Sequence, residues 1–246
     1  MMPAQSPKDK LIVALDVDTF EEARGLIDVL SSVVDIFKVG SQLFTACGPV
    51  AVGHLLARGK KVFLDLKFHD IPHTVACAVA AAVGIHAPSS KFSQGIFMYT
   101  VHTQGGREML EAAASAAALK AKELGIDKPL GLGVTVLTSE EKKDNIAQLV
   151  LERARLAKAS GLDGVVASAQ EAQLLRREFG KDFIIVTPGI RSRDSEAGDQ
   201  KRITTAAEAI QQGSDFLVVG RPIVKAPRPQ EAAQKILDEI SQAQKY

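Results

Sequence analysis

Eight short apolar runs, rich in β-branched residues, alternate along this chain with Ala- and Leu-rich stretches of helical spacing. The runs span 11–16, 36–39, 61–66, 96–102, 130–137, 164–167, 183–187 and 216–220. Their apolar character is nearly continuous, which suits parallel strands covered on both faces rather than strands with one face in water. The intervening spacing predicts a helix over 20–30, behind Asp18 and Thr19, either of which can cap it. A second helix is predicted over 74–83 behind Pro72, a good helix-start residue. Polar and apolar residues at helical spacing predict two more over 140–160 and 229–242. Eight strand–helix units within 246 residues point to a closed barrel rather than an open sheet. The expected fold class is therefore α/β, a single-domain (β/α)8 barrel. Residues 1–10 read as a polar extension and 11–246 as the barrel domain, with no linker or low-complexity tract. His86 to Gln94 breaks the rhythm and reads as a loop inserted between the third helix and the fourth strand.

Composition narrows the function classes. Thirty Lys+Arg against 29 Asp+Glu give a net charge of +1, so nothing draws the chain globally to nucleic acid or an anionic membrane. Any anion binding must be local. The N-terminus lacks the apolar run of a signal peptide, and no segment reaches about 18 uninterrupted apolar residues. A soluble cytoplasmic protein is expected. Cys47 and Cys77 sit in small-residue helical settings without a CxxC partner and read as buried, reduced thiols.

In such barrels active sites lie at the C-terminal ends of the strands. Asp16, Lys38, Asp65, Lys67, His102, Thr138, Arg191, Gly220 and Arg221 all fall at or beside those ends. Asp65 and Lys67 are two apart on one strand, so both point into the barrel mouth. Asp70 follows in the turn before a helix. Two carboxylates flanking an ammonium form a coupled network, suited to holding a proton and delivering it to a carbanion. Two plainer readings stand beside this one: Asp70 as a helix cap, and Asp65–Lys67 as a structural ion pair. The far end of the chain supplies an anion site, because loops after strands 7 and 8 are the usual phosphate position. Gly220 permits close backbone approach, the Arg221 guanidinium can grip a phosphate, and Gln200 can donate from its amide.

These residues carry a family resemblance over essentially the whole chain. The stretch Asp65-Leu66-Lys67-Phe68-His69-Asp70-Ile71-Pro72-His73-Thr74 resembles the orotidine 5′-phosphate decarboxylase family. Phe37-Lys38-Val39-Gly40, the run from Val134 to Ser139, and Thr187-Pro188-Gly189-Ile190-Arg191 support it. The resemblance implies decarboxylation of orotidine 5′-phosphate to UMP, with Lys67 protonating C6 and Asp65 against the substrate carboxylate. Lys38 joins that charge array, and Asp16 and Lys38 would contact the ribose hydroxyls. Thr138, with or without Ser139, would lie near the pyrimidine edge. Arg191, Gln200, Gly220 and Arg221 would bind phosphate. A homodimer is implied, in which Asp70 and Thr74 reach the neighbouring subunit's site. No metal or organic cofactor is implied.

The sequence departs from the family pattern in places. His73 stands where Asn is usual, either tuning the shared interface or lying as a plain surface histidine. The segment Tyr99-Thr100-Val101-His102-Thr103-Gln104 replaces the more usual Val-Asn-Val-His-Ala, which puts strand 4 in doubt. The implied site residues fall outside that strand. A lid is suggested by the polar run from Ser192 to Asp199.

The nearest rival is a magnesium-dependent sugar-phosphate decarboxylase or aldolase of the same barrel superfamily. Those enzymes place a Glu metal ligand on strand 2, where this chain has Lys38, and an ammonium repels Mg2+. A second rival is a catalytically inactive barrel that only binds a nucleotide. Gly53 to Lys60 resembles a P-loop, but its glycine spacing is one too long and Lys61 stands where Ser or Thr is needed. The five histidines show no metal-ligand spacing, and His102 reads as a structural group at the strand 4 rim.

Overall fold

The computed structural model describes residues 6–85, 95–136, 145–191 and 204–244. Eight parallel strands close into a barrel in chain order. They are β1 (Leu11–Ala14), β2 (Ile36–Gly40), β3 (Lys61–Phe68), β4 (Met98–His102), β5 (Leu130–Val134), β6 (Gly164–Val166), β7 (Ile184–Pro188) and β8 (Phe216–Val219), with β8 pairing back to β1. Around them run α1 (Phe20–Leu30), α2 (Ser41–Cys47), α3 (Val50–Ala57), α4 (Pro72–Val83), α5 (Gly106–Leu124), α6 (Ile146–Ala159), α7 (Ala169–Phe179), α8 (Ala206–Gln211), α9 (Arg221–Val224) and α10 (Pro229–Ala243). The (β/α)8 expectation is met.

The boundaries follow local chemistry. Thr19, not Asp18, caps α1, its hydroxyl accepting from the Glu22 N–H. Pro72 occupies the first turn of α4, where its missing N–H leaves no partner unsatisfied, so this helix starts two residues earlier than the apolar pattern alone suggested. Strand β3 runs past its expected end to Phe68, whereas β1 stops at Ala14 and leaves Asp16 just beyond it. The inserted loop at 86–94, the lid candidate within 192–203, and residue 137 together with the first turns expected of the 140–160 helix lie outside the described residues.

Period-two alternation divides each strand between two cores. Leu11 and Val13 face the helices while Ile12 and Ala14 face the barrel interior, and on β2 Phe37 and Val39 face out while Ile36 faces in. The interior is filled by a compact apolar layer that includes Phe63, Met98, Leu132 and Phe216. It is a packed plug and not a pore. Extending the same parity toward the strand ends puts Asp16, Lys38, Asp65, Lys67, Thr100 and His102 above that layer.

Charges at the other end of the barrel have structural work. Asp215 accepts from Arg176 at 2.6 Å and from the Ile185 N–H at 2.8 Å. Asp163 likewise accepts from Lys128 and from the Gly131 N–H, both at 2.8 Å. Each satisfies a backbone group where a strand begins.

No helix among the described residues is long and apolar enough to cross a membrane. The expectation of two buried thiols is corrected: Cys47 is half-buried and Cys77 is exposed. Helix α4 buries Val75, Val79, Ala82 and Val83, and Cys77 lies off that face, with its Sγ 3.7 Å from His73 Nε2 one turn away.

Strand packing offers a stability test. A Cβ on Gly164 would overlap the Ile184 carbonyl and stand 2.7 Å from Ile184 Cβ on the adjacent strand. Gly164→Ala is expected to cost about 2 kcal/mol or more, read as a lower urea midpoint. Gly25→Ala, on a helix with nothing within 4 Å of the added carbon, should be neutral or stabilising by up to about 1 kcal/mol.

Candidate active site

Four charged side chains expected at the strand ends meet in one network. Lys38 Nζ donates to Asp16 Oδ1 at 2.9 Å and lies 3.6 Å from Asp65 Oδ2. Lys67 Nζ donates to the same Asp65 oxygen at 2.9 Å. The chain of contacts Asp16–Lys38–Asp65–Lys67 alternates in sign and is formally neutral. Lys38 and Asp65 are both buried, at 8% and 9% exposure. A carboxylate this buried is costly unless paired and hydrogen-bonded, and Asp65 is both. Burial works to raise its pKa. The Lys38 and Lys67 charges, with hydrogen bonds from Lys67 and Thr100, outweigh burial and hold the carboxyl below its ordinary 3.8.

The backbone is adapted to this arrangement. Lys67 has φ of 50°, a left-handed value rare for a residue with a side chain, and the β3–β4 register shifts between Leu64 and Phe68. Asp65 and Lys67 therefore converge as their spacing on a strand suggested, but through an irregular strand end. At Gly40 an added Cβ would stand 2.7 Å from Lys38 Nζ and 3.1 Å from Asp16 Oδ1. The glycine leaves the space in which that ion pair sits.

A cleft of about 510 Å³ opens above β1, β2, β7 and β8, and its walls include Asp16, Lys38, Gln42, Arg191, Gly220 and Arg221. Its size suits a small organic ligand. A deeper cavity of about 130 Å³, lined by Lys38, Asp65 and Lys67 over Phe63, Val134 and Val166, shares Lys38, Pro188 and Val218 with it. The two adjoin at those shared residues, and the smaller makes a narrow end that is charged on one side and apolar on the other. Arg191 is buried, and its backbone N–H donates to the Thr204 carbonyl at 3.1 Å. Arg221 is exposed at the start of α9.

Asp70 and Thr74 are exposed and line neither cavity of their own chain. Asp70 does not cap α4: the N-cap is Ile71, with no side-chain cap bond, and Asp70 Oδ1 instead accepts from the Ile71 N–H at 2.6 Å. Thr138 and Gln200 lie outside the described residues. His102 Nδ1 accepts from the Gln104 N–H at 3.3 Å, and its ring stacks on His69 at a centroid distance of 5.3 Å.

Strand 4, put in doubt by its departure from the family pattern, forms as β4 and contributes a side chain to the network. β4 pairs regularly with β5, and Thr100 Oγ1 donates to Asp65 Oδ1 at 3.0 Å. A polar residue at interior parity, between Met98 and His102, was the available signal. For Gly40 the motif was visible, but the space it provides was not.

Fold and site together define the class: a (β/α)8 barrel with a buried aspartate–lysine network at the C-terminal ends of its strands, opening into an arginine-walled cleft. The chain belongs to the orotidine 5′-phosphate decarboxylase / HUMPS family, whose family model matches residues 9–236. It is 46% identical over 242 residues to an orotidine 5′-phosphate decarboxylase of Moorella thermoacetica, covering 95% of this chain and 92% of that one. A Coxiella burnetii protein of the same name is 44% identical over 245 residues, covering 96% and 98%. Among solved structures, the orotidine 5′-phosphate decarboxylase of Lactobacillus acidophilus superposes with a TM-score of 0.78 at 35% identity, covering 94% of this chain and 99% of that one.

The network's contribution to stability has a definite pH dependence. Because the Asp65 pKa is depressed in the folded protein, its stabilisation is present above the unfolded value near 3.8 and is lost as pH falls through the folded pKa. The stability advantage of wild type over Asp65→Asn should therefore shrink between pH 7 and pH 3, measured by urea unfolding across that range.

Proposed function

We propose that this protein decarboxylates orotidine 5′-phosphate to UMP and CO2, the final step of de novo pyrimidine nucleotide synthesis, without a metal or organic cofactor. The observation that carries the reading is the Asp16–Lys38–Asp65–Lys67 network, with Asp65 buried between two ammonium groups. Membership of the family and the names of its relatives support the substrate.

The reaction breaks the bond from C6 to the carboxylate and leaves an electron pair on C6, which takes a proton. Lys67 supplies that proton from its ammonium, which Asp65 holds at the narrow end of the cleft. Asp65 sits against the substrate carboxylate, and Lys38 completes the charge array while it and Asp16 meet the ribose hydroxyls. Arg191, Gly220 and Arg221, with Gln200, take the phosphate, and Thr138 lies near the pyrimidine edge. Charges fixed before the substrate arrives need no reorganisation as the carbanion develops. Binding energy from the remote phosphate is available to order the reacting end.

The exposure of Asp70, Ile71 and Thr74 at the start of α4, away from their own chain's clefts, supports a homodimer in which Asp70 and Thr74 complete the neighbour's site. A polyanionic nucleotide substrate, bearing both a phosphate and a carboxylate, supports work in the cytoplasm. A magnesium-dependent reaction is disfavoured, because Lys38 already lies against both Asp16 and Asp65, the carboxylates a divalent cation would otherwise recruit.

The test is the loss of orotidine 5′-phosphate absorbance with purified protein, with and without EDTA. Turnover that survives EDTA is expected; no turnover at micromolar enzyme would sink the proposal, and turnover abolished by EDTA would favour the metal-dependent reading. Lys67→Ala should lower kcat at least about 1,000-fold while the protein still folds and binds UMP. A kcat within tenfold of wild type would remove Lys67 from its role. Asp70→Asn and Lys67→Ala subunits, each nearly inactive alone, should regain activity when mixed, because a hybrid dimer holds one intact site. Confirmed hybrids without activity would overturn the shared site.

A further inference from the structure

We infer that Thr100 is a positioning residue for the reacting end of the site: its hydroxyl ties the Asp65 carboxylate to the Lys67 backbone, so that Asp65 Oδ2 faces both lysines. The inference rests on the proposed decarboxylation and goes beyond it in naming the group that sets the charge geometry.

Thr100 lies on β4 at interior parity and is fully buried. Its Oγ1 makes two contacts whose directions are forced. The Lys67 N–H can only donate, and does so to Oγ1 at 2.8 Å. An ionised Asp65 can only accept, so the single Thr100 hydroxyl hydrogen is committed to Oδ1 at 3.0 Å. With Oδ1 held in this way, the carboxylate presents Oδ2 to Lys67 at 2.9 Å and to Lys38 at 3.6 Å. The other contact falls at the one described non-glycine residue with a positive φ, where the β3–β4 register shifts. A left-handed backbone at such a residue persists when its surroundings over-determine it, and the hydroxyl is one of those determinants. One oxygen therefore fixes both the orientation of the carboxylate and the backbone from which the Lys67 side chain departs. Thr100 faces Asp65 and the Lys67 backbone from β4, so it acts through those two residues.

A merely structural hydroxyl would alter stability and leave catalysis alone, and the variants separate the two. Thr100→Val keeps the branched shape and loses both hydrogen bonds, whereas Thr100→Ser keeps the hydroxyl. The readouts are kcat and KM for orotidine 5′-phosphate, Kd for UMP by calorimetry, and Tm. A misplacement near 1 Å costs about 100-fold in rate, so Thr100→Val should lower kcat roughly 30- to 100-fold. KM and the UMP Kd should stay within about threefold, because the proposed phosphate and ribose contacts are untouched. Thr100→Ser should recover kcat to within about fivefold of wild type. Thr100→Ala replaces the valine variant if that fails to fold, with the same expected loss. The inference is overturned by a kcat within threefold of wild type in the hydroxyl-free variants, by equal losses in the serine and hydroxyl-free variants, or by a loss confined to KM. Wild-type protein that does not consume orotidine 5′-phosphate would overturn the proposed function itself, independently of these comparisons.

Discussion

A carboxylate held under the mouth of a packed barrel organises everything around it. Asp65 is buried over an apolar plug, where a lone negative charge would be costly. Its ionisation depends on the two ammonium groups at Oδ2 and on the hydroxyl at Oδ1. Those partners come from β2, β3 and β4, and Lys38 extends the network to Asp16 just beyond β1. Four consecutive elements are thus coupled by one buried group. The network is also what gives the site its electrostatic character, since it holds positive and negative charge in fixed places before any ligand binds.

The rest of the barrel divides its charges by end. Where strands begin, Asp163 and Asp215 satisfy backbone N–H groups and bind neighbouring cations, which fastens the strands. Where strands finish, the charged groups are paired mainly with one another and line the cleft and the cavity beside it. The cleft then explains why cationic residues distant in the chain belong to one site: Lys38, Arg191 and Arg221 line the same walls. In the proposed reaction the arginine wall takes the phosphate and the narrow end takes the pyrimidine carboxylate.

Much of this was legible from the chain itself. Eight apolar runs and their spacing announced the barrel, because continuous apolar strands have to be covered on both faces. Asp65 and Lys67 were legible as a pair because their spacing matches the strand period, Asp16 because its run ends there, and Lys38 because it stands beside the end of its run. Local patterning was less reliable at the margins. The small-residue helix α4 suggested burial of Cys77, but only one face of that helix meets the core. Asp70 fitted a helix cap by position, yet Ile71 is the N-cap and no side chain caps the helix.

The sequence by itself determined the strand–helix alternation, the parity of each strand, and hence which charged residues face the barrel mouth. Those properties depend on neighbours a few residues apart, which covalent geometry keeps together. Tertiary structure alone decided that Thr100 on β4 answers Asp65 on β3, that Lys67 adopts a left-handed backbone at a register shift, and that Gly40 leaves room for the Lys38–Asp16 pair. Each of these depends on how far one strand slides along the next and how closely two side chains approach, and no spacing along the chain encodes that.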